Sequence, residues 1–551
     1  MKLAPECALN WHGAAVASLL FAIPIAIVIT SLTVFLYRKS VEKAMRYSAG
    51  IAVPASVRAS SATISSTLLR ISRSRDAVEP LPAQLTQSRA AMLTVSGIYV
   101  LAGVAQSAII TALYLWRNDI DFSPMRTFFV WVPYAWPIML ALSVTATSTK
   151  RQKLTLVAAY FMVLVLMDAA ADLFGLRYRP GFGELLLFWT LSVGLPTLVM
   201  VLLGNRAWRS VGFISLFFSI VLVSSYLLGF HGLGCLALST RNLTLMFNLK
   251  YLLAGLVLLF FAVAWWIYRR LVRHYKAKGY SDQMLMVDSL WLLVTVTETL
   301  SQMGTSGAAS LSYFLAFAAY KAVSAMGLRH LRSIQTKQSS RSLLMLRVFG
   351  FTVRTRQLTD QVGHYWRYSG PINMIGGTDL AASLIEPDEL IQFWSRALRR
   401  QFIANDDDLR ARLLTLDDGR DPDLRYRINE FFCHDNTWQA TVKALAQRSA
   451  VVLMDLRGFG PQNRGCEFEL EMLFEEVPVS RVVLLVDESP DIKILQQVLQ
   501  AAWDKLSASS PNRALAEPVL PLFQVGDSSS ALQPLLSRLF TAAAHGTARQ
   551  V

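Results

Sequence analysis

The sequence predicts an α-helical multi-pass membrane region followed by a cytosolic α/β domain with a mainly parallel sheet. Three observations carry this reading. The 551 residues are 53% hydrophobic, with a mean hydropathy of +0.39, more apolar than soluble chains of this length average. The apolar residues form long runs up to Arg270, whereas beyond Arg341 charges recur every few positions. In that second part, short β-rich apolar runs alternate with helical ones.

A membrane-spanning helix needs roughly 20 apolar residues. Stretches of that kind lie near 12–37, 91–116, 127–147, 154–174, 185–204, 211–230 and 248–268, so residues 1–270 are expected to hold about seven spans. The first is too long for a cleavable signal peptide and lacks a basic start and a small-residue cleavage site. It is expected to stay as an anchor.

The loops set the orientation. Segment 38–90 is rich in Arg and Lys, and "KRQK" (150–153), "NRAWR" (205–209) and "YRRLVRHYKAK" (268–278) are basic too. The intervening loops are poorer in Lys and Arg or balanced by acids. All four basic loops share one side when the N-terminus is outside, which puts the C-terminal half in the cytoplasm. The net charge of +15 is therefore largely absorbed by membrane topology, and nucleic acid is not an expected partner. The Ser- and Arg-rich part of 38–90 reads as a flexible basic linker or as a basic helix on anionic lipid.

Residues 271–340 form the connector. Within 284–327 two apolar stretches carry Asp288, Glu298 and Lys321 and are separated by "SQMGTSGA", a turn signal. They read as a helical hairpin lying against the membrane, with two further membrane helices as the alternative. Asp168 and Asp172 share a helix face near Arg177 and Arg179, the pattern of an interfacial ion pair. Of the four cysteines, Cys7 and Cys235 fall outside and Cys433 and Cys466 inside. Four free thiols are expected, with a Cys7–Cys235 pairing as the alternative on the oxidising side.

From 341 to 551 the elements follow in order. "LLMLRVFG" (343–350) reads as a strand, "TRQLTDQVGHYWRY" as a helix, and "PINMIGG" (371–377) as a second strand ending in Gly376 and Gly377. Helical spacing recurs at 388–401, and "RYRINEFFC" (425–433) reads as an extra strand. The helix "NTWQATVKALAQRS" leads into the strands "AVVLMDL" and "RVVLLVD", whose unbroken apolar character is that of central parallel strands. The helix "DIKILQQVLQAAWDKL", a strand at 518–526 and a terminal helix complete the domain. Strands alternating with helices of this length imply a parallel sheet covered on both faces.

Ligands in such sheets bind at the carboxyl ends of the strands. One such end is "RGFGPQNRG", where Gly458, Gly460 and Gly465 allow a tight turn or a close approach. It has the spacing of neither a dinucleotide fingerprint nor a phosphate loop. On the helix that follows, Cys466, Leu470, Leu473 and Val477 form one stripe, while Glu467, Glu471 and Glu475 face away. Glu469 borders the stripe, where a carboxylate can lose solvent and have its pKa raised. Asp455 and Gly458 sit beside it in the same strand end and turn. Arg354, Arg356 and Arg457, near strand ends, are candidates for phosphate contacts. No metal ligands and no bound cofactor are expected.

The run "TWQATVKALAQRSAVVLMDLRGFGPQNRGCEFELEML" with "RVVLLVD" resembles the core of a Toll/interleukin receptor (TIR) domain. The matching elements are a helix, an apolar strand, a loop, a helix opening with Cys466, Glu469 and Leu470, and a further strand. The resemblance implies a flavodoxin-like strand order. It also implies that the glutamate of the matching element, here Glu469, is catalytic where such domains cleave NAD, so NAD is the implied substrate. The chain departs from the pattern at Asp455-Leu456-Arg457, where the family has a serine, at Gly465, where it often has tryptophan, and in an insertion over 378–433. A signalling or defence protein of a bacterial inner membrane is implied, with lipid and its own cytosolic domain as partners. A non-catalytic, membrane-tethered interaction module is the alternative.

Overall fold

A computed structural model describes residues 11–45, 70–74, 83–146, 150–173, 211–212, 214–223, 225–226, 243–334, 340–347, 353–376, 390, 393–395, 401–434, 436–460, 463–487, 492–515, 519–524 and 532–547. The chain divides into two compact units, one helical and one α/β. The helical unit takes residues 1–36, 93–335 and 383–391, and the α/β unit takes 37–92, 336–382 and 392–551.

The helices of the first half are α1 (Trp11–Met45), α2 (Ala83–Arg117), α3 (Pro124–Thr145), α4 (Lys150–Leu173), α5 (Leu243–Lys276), α6 (Asp282–Ser306) and α7 (Phe314–Ile334). Five helical stretches among the described residues are long and apolar enough to cross a membrane: 21–44, 83–117, 124–145, 251–276 and 307–334. Four of these coincide with expected spans, and α4 covers a fifth expected position. Of the remaining two, 185–204 lies outside the described residues, and 211–230 is represented by the short apolar helix Ile214–Val223. The fifth candidate span, 307–334, falls in the connector. Large apolar side chains such as Leu258, Leu259 and Trp266 stand exposed on α5, as on a helix whose solvent is lipid.

Close packing explains the inner face of this unit. A Cβ on Gly103 of α2 would sit 2.5 Å from the Trp291 ring of α6, and one on Gly327 of α7 would sit 2.7 Å from Ile98. Gln106 donates to the Trp291 carbonyl (3.0 Å) and to the Thr295 hydroxyl (2.9 Å). The Arg117 guanidinium donates to the Ala309 carbonyl and to Ser312 in the 3-10 turn Gly307–Tyr313. Contacts at Ile98, Gly103, Gln106 and Arg117 carry α6, the turn and α7 alongside most of α2, a candidate span. Asp288 of α6 and Lys321 of α7 pair at 2.6 Å.

In the α/β unit, β2 (Leu343–Arg347), α8 (Val353–Trp366), β3 (Ile372–Gly376), β4 (Phe402–Ile403), α9 (Asp406–Leu414), β5 (Ile428–Cys433), α10 (Trp438–Arg448), β6 (Val451–Asp455), α11 (Arg464–Glu476), β7 (Val482–Val486), α12 (Ile492–Asp504), β8 (Val519–Gln524) and α13 (Leu532–Thr547) follow in order. An eighth strand, β1 (Arg70–Ser74), comes from the first basic loop and pairs in parallel with β8. That segment was expected to be a linker or a lipid-bound helix. The sheet order is β1-β8-β7-β6-β2-β3-β5-β4, parallel throughout. Strands β2, β3, β6, β7 and β8, counted one to five, stand in the doubly wound order 2-1-3-4-5. Insertion 378–433 extends the β3 edge through β5 and β4.

Both faces of the sheet are buried. Leu344, Leu346, Val452, Met454 and Leu484 share one core with Leu445, Cys466, Leu470, Leu473 and Leu499 of α10, α11 and α12. On the other face α13 lies against β6 and β7, and Trp366 of α8 packs on Phe540 at 4.6 Å. Helices on both faces are what continuous apolar strands require.

Candidate functional site

In a doubly wound sheet the chain leaves neighbouring central strands toward opposite faces, and a crevice opens between their carboxyl ends. Here that switch point lies between β2, which leads to α8, and β6, which leads to α11. The register sets Arg347 directly beside Asp455, each the last residue of its strand. Gly376 ends β3, the next strand over. A Cβ there would meet the Phe432 ring at 2.9 Å, so glycine lets β3 and β5 keep their spacing.

Past Asp455 the chain turns under tight control. Leu456 donates its N–H to the Leu485 carbonyl at 2.8 Å, extending the pairing with β7. Gly458 has φ +73°, a conformation that glycine adopts without strain, and its N–H donates to the Asp487 carboxylate at 3.1 Å. Leu456 and Phe459 are buried in the same core as Cys466 and Leu470. The turn is anchored by apolar side chains as well as by its glycines. Asn463 precedes α11 without capping it through its side chain, and its Oδ1 instead accepts from the Gly460 N–H at 2.9 Å.

The expected stripe on α11 is present. Cys466, Leu470, Leu473, Phe474 and Val477 are buried, whereas Glu467, Glu471 and Glu475 are partly exposed. Glu471 pairs with Lys505, and Glu475 accepts from Ser507. Glu469 departs from its neighbours. It is only 5% exposed, and its Oε2 accepts no hydrogen bond within the protein. Burial pushes its carboxyl up to about 8, against the lowering pull of the Arg347 guanidinium.

Two other candidates are brought together. Arg457 donates through Nε (2.8 Å) and Nη2 (2.7 Å) to the two oxygens of Asp455, a two-pronged pair that is mostly buried. Two of the donors of Arg457, expected as a phosphate contact, are thus engaged by the Asp455 carboxylate. Arg354 and Arg356 lie in the first turn of α8, and their side chains are outside the described residues, as is Gly377. Cys7 and Cys235 are also outside them, whereas Cys433 and Cys466 are buried and form no disulfide. Arg347 is the charge that sequence reasoning missed. It is the last residue of β2, whereas the sequence reading ran that strand on to Gly350.

The site therefore holds a buried carboxyl with spare hydrogen-bonding capacity, the Arg347 cation within electrostatic reach and an anchored turn. Such a carboxyl is neutral near pH 7 when nothing faces it, and becomes an anion beside a ligand that brings positive charge. No protein-family model matches the chain, and no curated protein matches it.

Proposed function

We propose that the α/β unit is a TIR-like nucleotide-binding domain that cleaves the N-glycosidic bond of NAD, tethered to a membrane by the helical unit. One observation carries this reading: Glu469 is buried at the switch point with an unpartnered oxygen. Burying a carboxyl without partners costs stability, and that cost is commonly kept where chemistry needs the group. In the reaction the bond between ribose and nicotinamide breaks and its electron pair leaves with the ring, which becomes neutral. The ribosyl cation left behind is stabilised by the Glu469 carboxylate and captured by water, which gives up a proton. Arg347 is suited to hold the carboxylate in its charged form and to meet a phosphate.

In this reading the domain faces the cytoplasm of a bacterium from its inner membrane, supported by the basic loops that share one side, and its self-association makes it a signalling or defence effector. The test is NAD consumption by the purified full chain in nanodiscs, with crosslinked copies as the clustered state. Wild type is expected to consume NAD, and Glu469→Gln is expected to abolish consumption while NAD is still bound. A wild type that neither binds nor consumes NAD when clustered overturns the reading. A second reading, a non-catalytic interaction module, is favoured by the Asp455–Arg457 pair, which occupies two of the site's charges. It requires clustering without NAD turnover.

A further inference from the structure

In the helical unit two opposite charges approach the same tyrosine without meeting each other. Glu298 of α6 accepts from the Tyr134 hydroxyl of α3 at 3.5 Å. Arg117, at the end of α2, uses Nη2 on the turn 307–313, while its Nε and Nη1 are buried without a hydrogen-bond partner. Its guanidinium lies over the Tyr313 ring, 5.7 Å from the centroid. Tyr313 is fully buried, its hydroxyl has no partner, and it lies within electrostatic reach of both Glu298 and Arg117. Tyr114 completes the wall, 6.0 Å from Tyr134 ring to ring. No ion pair joins Arg117 to Glu298.

An acid and a cation inside an apolar bundle with no ion pair between them, the cation with two unused donors, are costly when empty. We propose that they hold a small zwitterion of the α-amino acid class. Its ammonium group would meet the Glu298 carboxylate within the faces of Tyr114 and Tyr134, which favour cations. Its carboxylate would take the free Nε and Nη1 donors of Arg117, a fork suited to two oxygens. The Tyr313 hydroxyl, without a partner in the protein, adds donor and acceptor capacity. Tyr114 precedes Arg117 by three residues, about 4.5 Å along the helix. The site therefore lies near the end of α2 that the loop charges assign to the outside, so it would sample extracytoplasmic amino acid.

The test is calorimetric titration of the full chain in nanodiscs with glycine, L-alanine, L-leucine, L-phenylalanine and glycine betaine, and with ethylammonium and propionate as half-molecules. At least one zwitterion is expected to bind, each half-molecule at least roughly tenfold more weakly. Arg117→Gln and Glu298→Gln are each expected to weaken binding by a further tenfold or more. Tyr134→Phe, which keeps the ring, should weaken it less. The comparison of L-alanine with its two half-molecules needs only wild type, so it stands even where a variant does not assemble. Ethylammonium or propionate binding as tightly as the zwitterions overturns the proposal. So does a wild type that binds none of the probes.

Discussion

In the helical unit, Asp288 of α6 is buried but held: Tyr320 donates to one oxygen at 2.9 Å and Lys321 to the other at 2.6 Å. In the α/β unit, Glu469 is buried about as deeply, yet one oxygen has no partner and the nearest counter-charge acts only at a distance. The first arrangement satisfies both oxygens and neutralises the charge, which is what a helix bundle needs in order to bury an acid. The second leaves hydrogen-bonding capacity for something else. Burial alone therefore does not mark a functional carboxylate. What separates the two is whether the protein has already supplied the partners.

The largest expected effect tests the unpartnered acid. A carboxyl raised from 4.5 to about 8 by folding is worth at most about 5 kcal/mol. The sign follows from proton counting. Below pH 4.5 folded and unfolded chains both carry the proton. Between 4.5 and 8 the unfolded chain ionises and the folded one does not, so stability falls as pH rises, and the loss is complete above about 8. Hydrogen exchange of the amides in β6 and β7, from pH 5 to 8.5, should show this slope, and Glu469→Gln should flatten it. An identical slope in the variant would place the titrating group elsewhere. The proposed NAD cleavage should run the opposite way, with kcat/KM rising with pH up to about 8, because that proposal assigns the work to the carboxylate form.

Next comes the partnered acid. Lys321→Met leaves Asp288 buried without its cation, a change that costs about 3–5 kcal/mol when a buried pair is broken. The expected result is a marked drop in Tm of the full chain in detergent, with most of it restored by adding Asp288→Leu. If the double variant is no more stable than Lys321→Met alone, the pair is not what holds α6 to α7.

The same contrast explains what was legible in the sequence. Continuous apolar runs announced β6 and β7, and the spacing of Cys466, Leu470 and Leu473 placed Glu469 at the border of the core. Both signals are local. The partners of a charge are not local, so neither the Asp288–Lys321 pair across two helices nor the reach of Arg347 to Glu469 could be read from the chain. The Asp455–Arg457 pair spans only two residues, but it depends on the turn that follows a strand, which periodicity does not describe. Strand β1, "RISRS", has a single apolar residue and a partner far downstream, so nothing in its own composition suggests a strand.

That edge gives a smaller effect. β1 covers β8 in an unbroken register from Arg70↔Val519 to Ser74↔Phe523. Deleting 70–74 is expected to speed hydrogen exchange in β8 by roughly tenfold, about 1.4 kcal/mol, while β6 and β7 hold. Equal exchange in β8 with and without the segment would mean that β1 contributes nothing to the edge.

The smallest expected effect is the control that gives the first its meaning. Glu471 lies two residues from Glu469 on α11 but points the other way, and its partner Lys505 is well exposed. Water screens such a pair, and two long side chains lose freedom in making it, so exposed bridges contribute little. Glu471→Gln is therefore expected to change stability by less than about 0.5 kcal/mol, with no pH slope of its own and no effect on NAD consumption. The measurements are those used for Glu469→Gln. If the two variants behave alike in both, the difference between a buried acid with a spare oxygen and a solvated one carries no functional weight here. The site would then have to be sought at Asp455 or in the insertion 378–433.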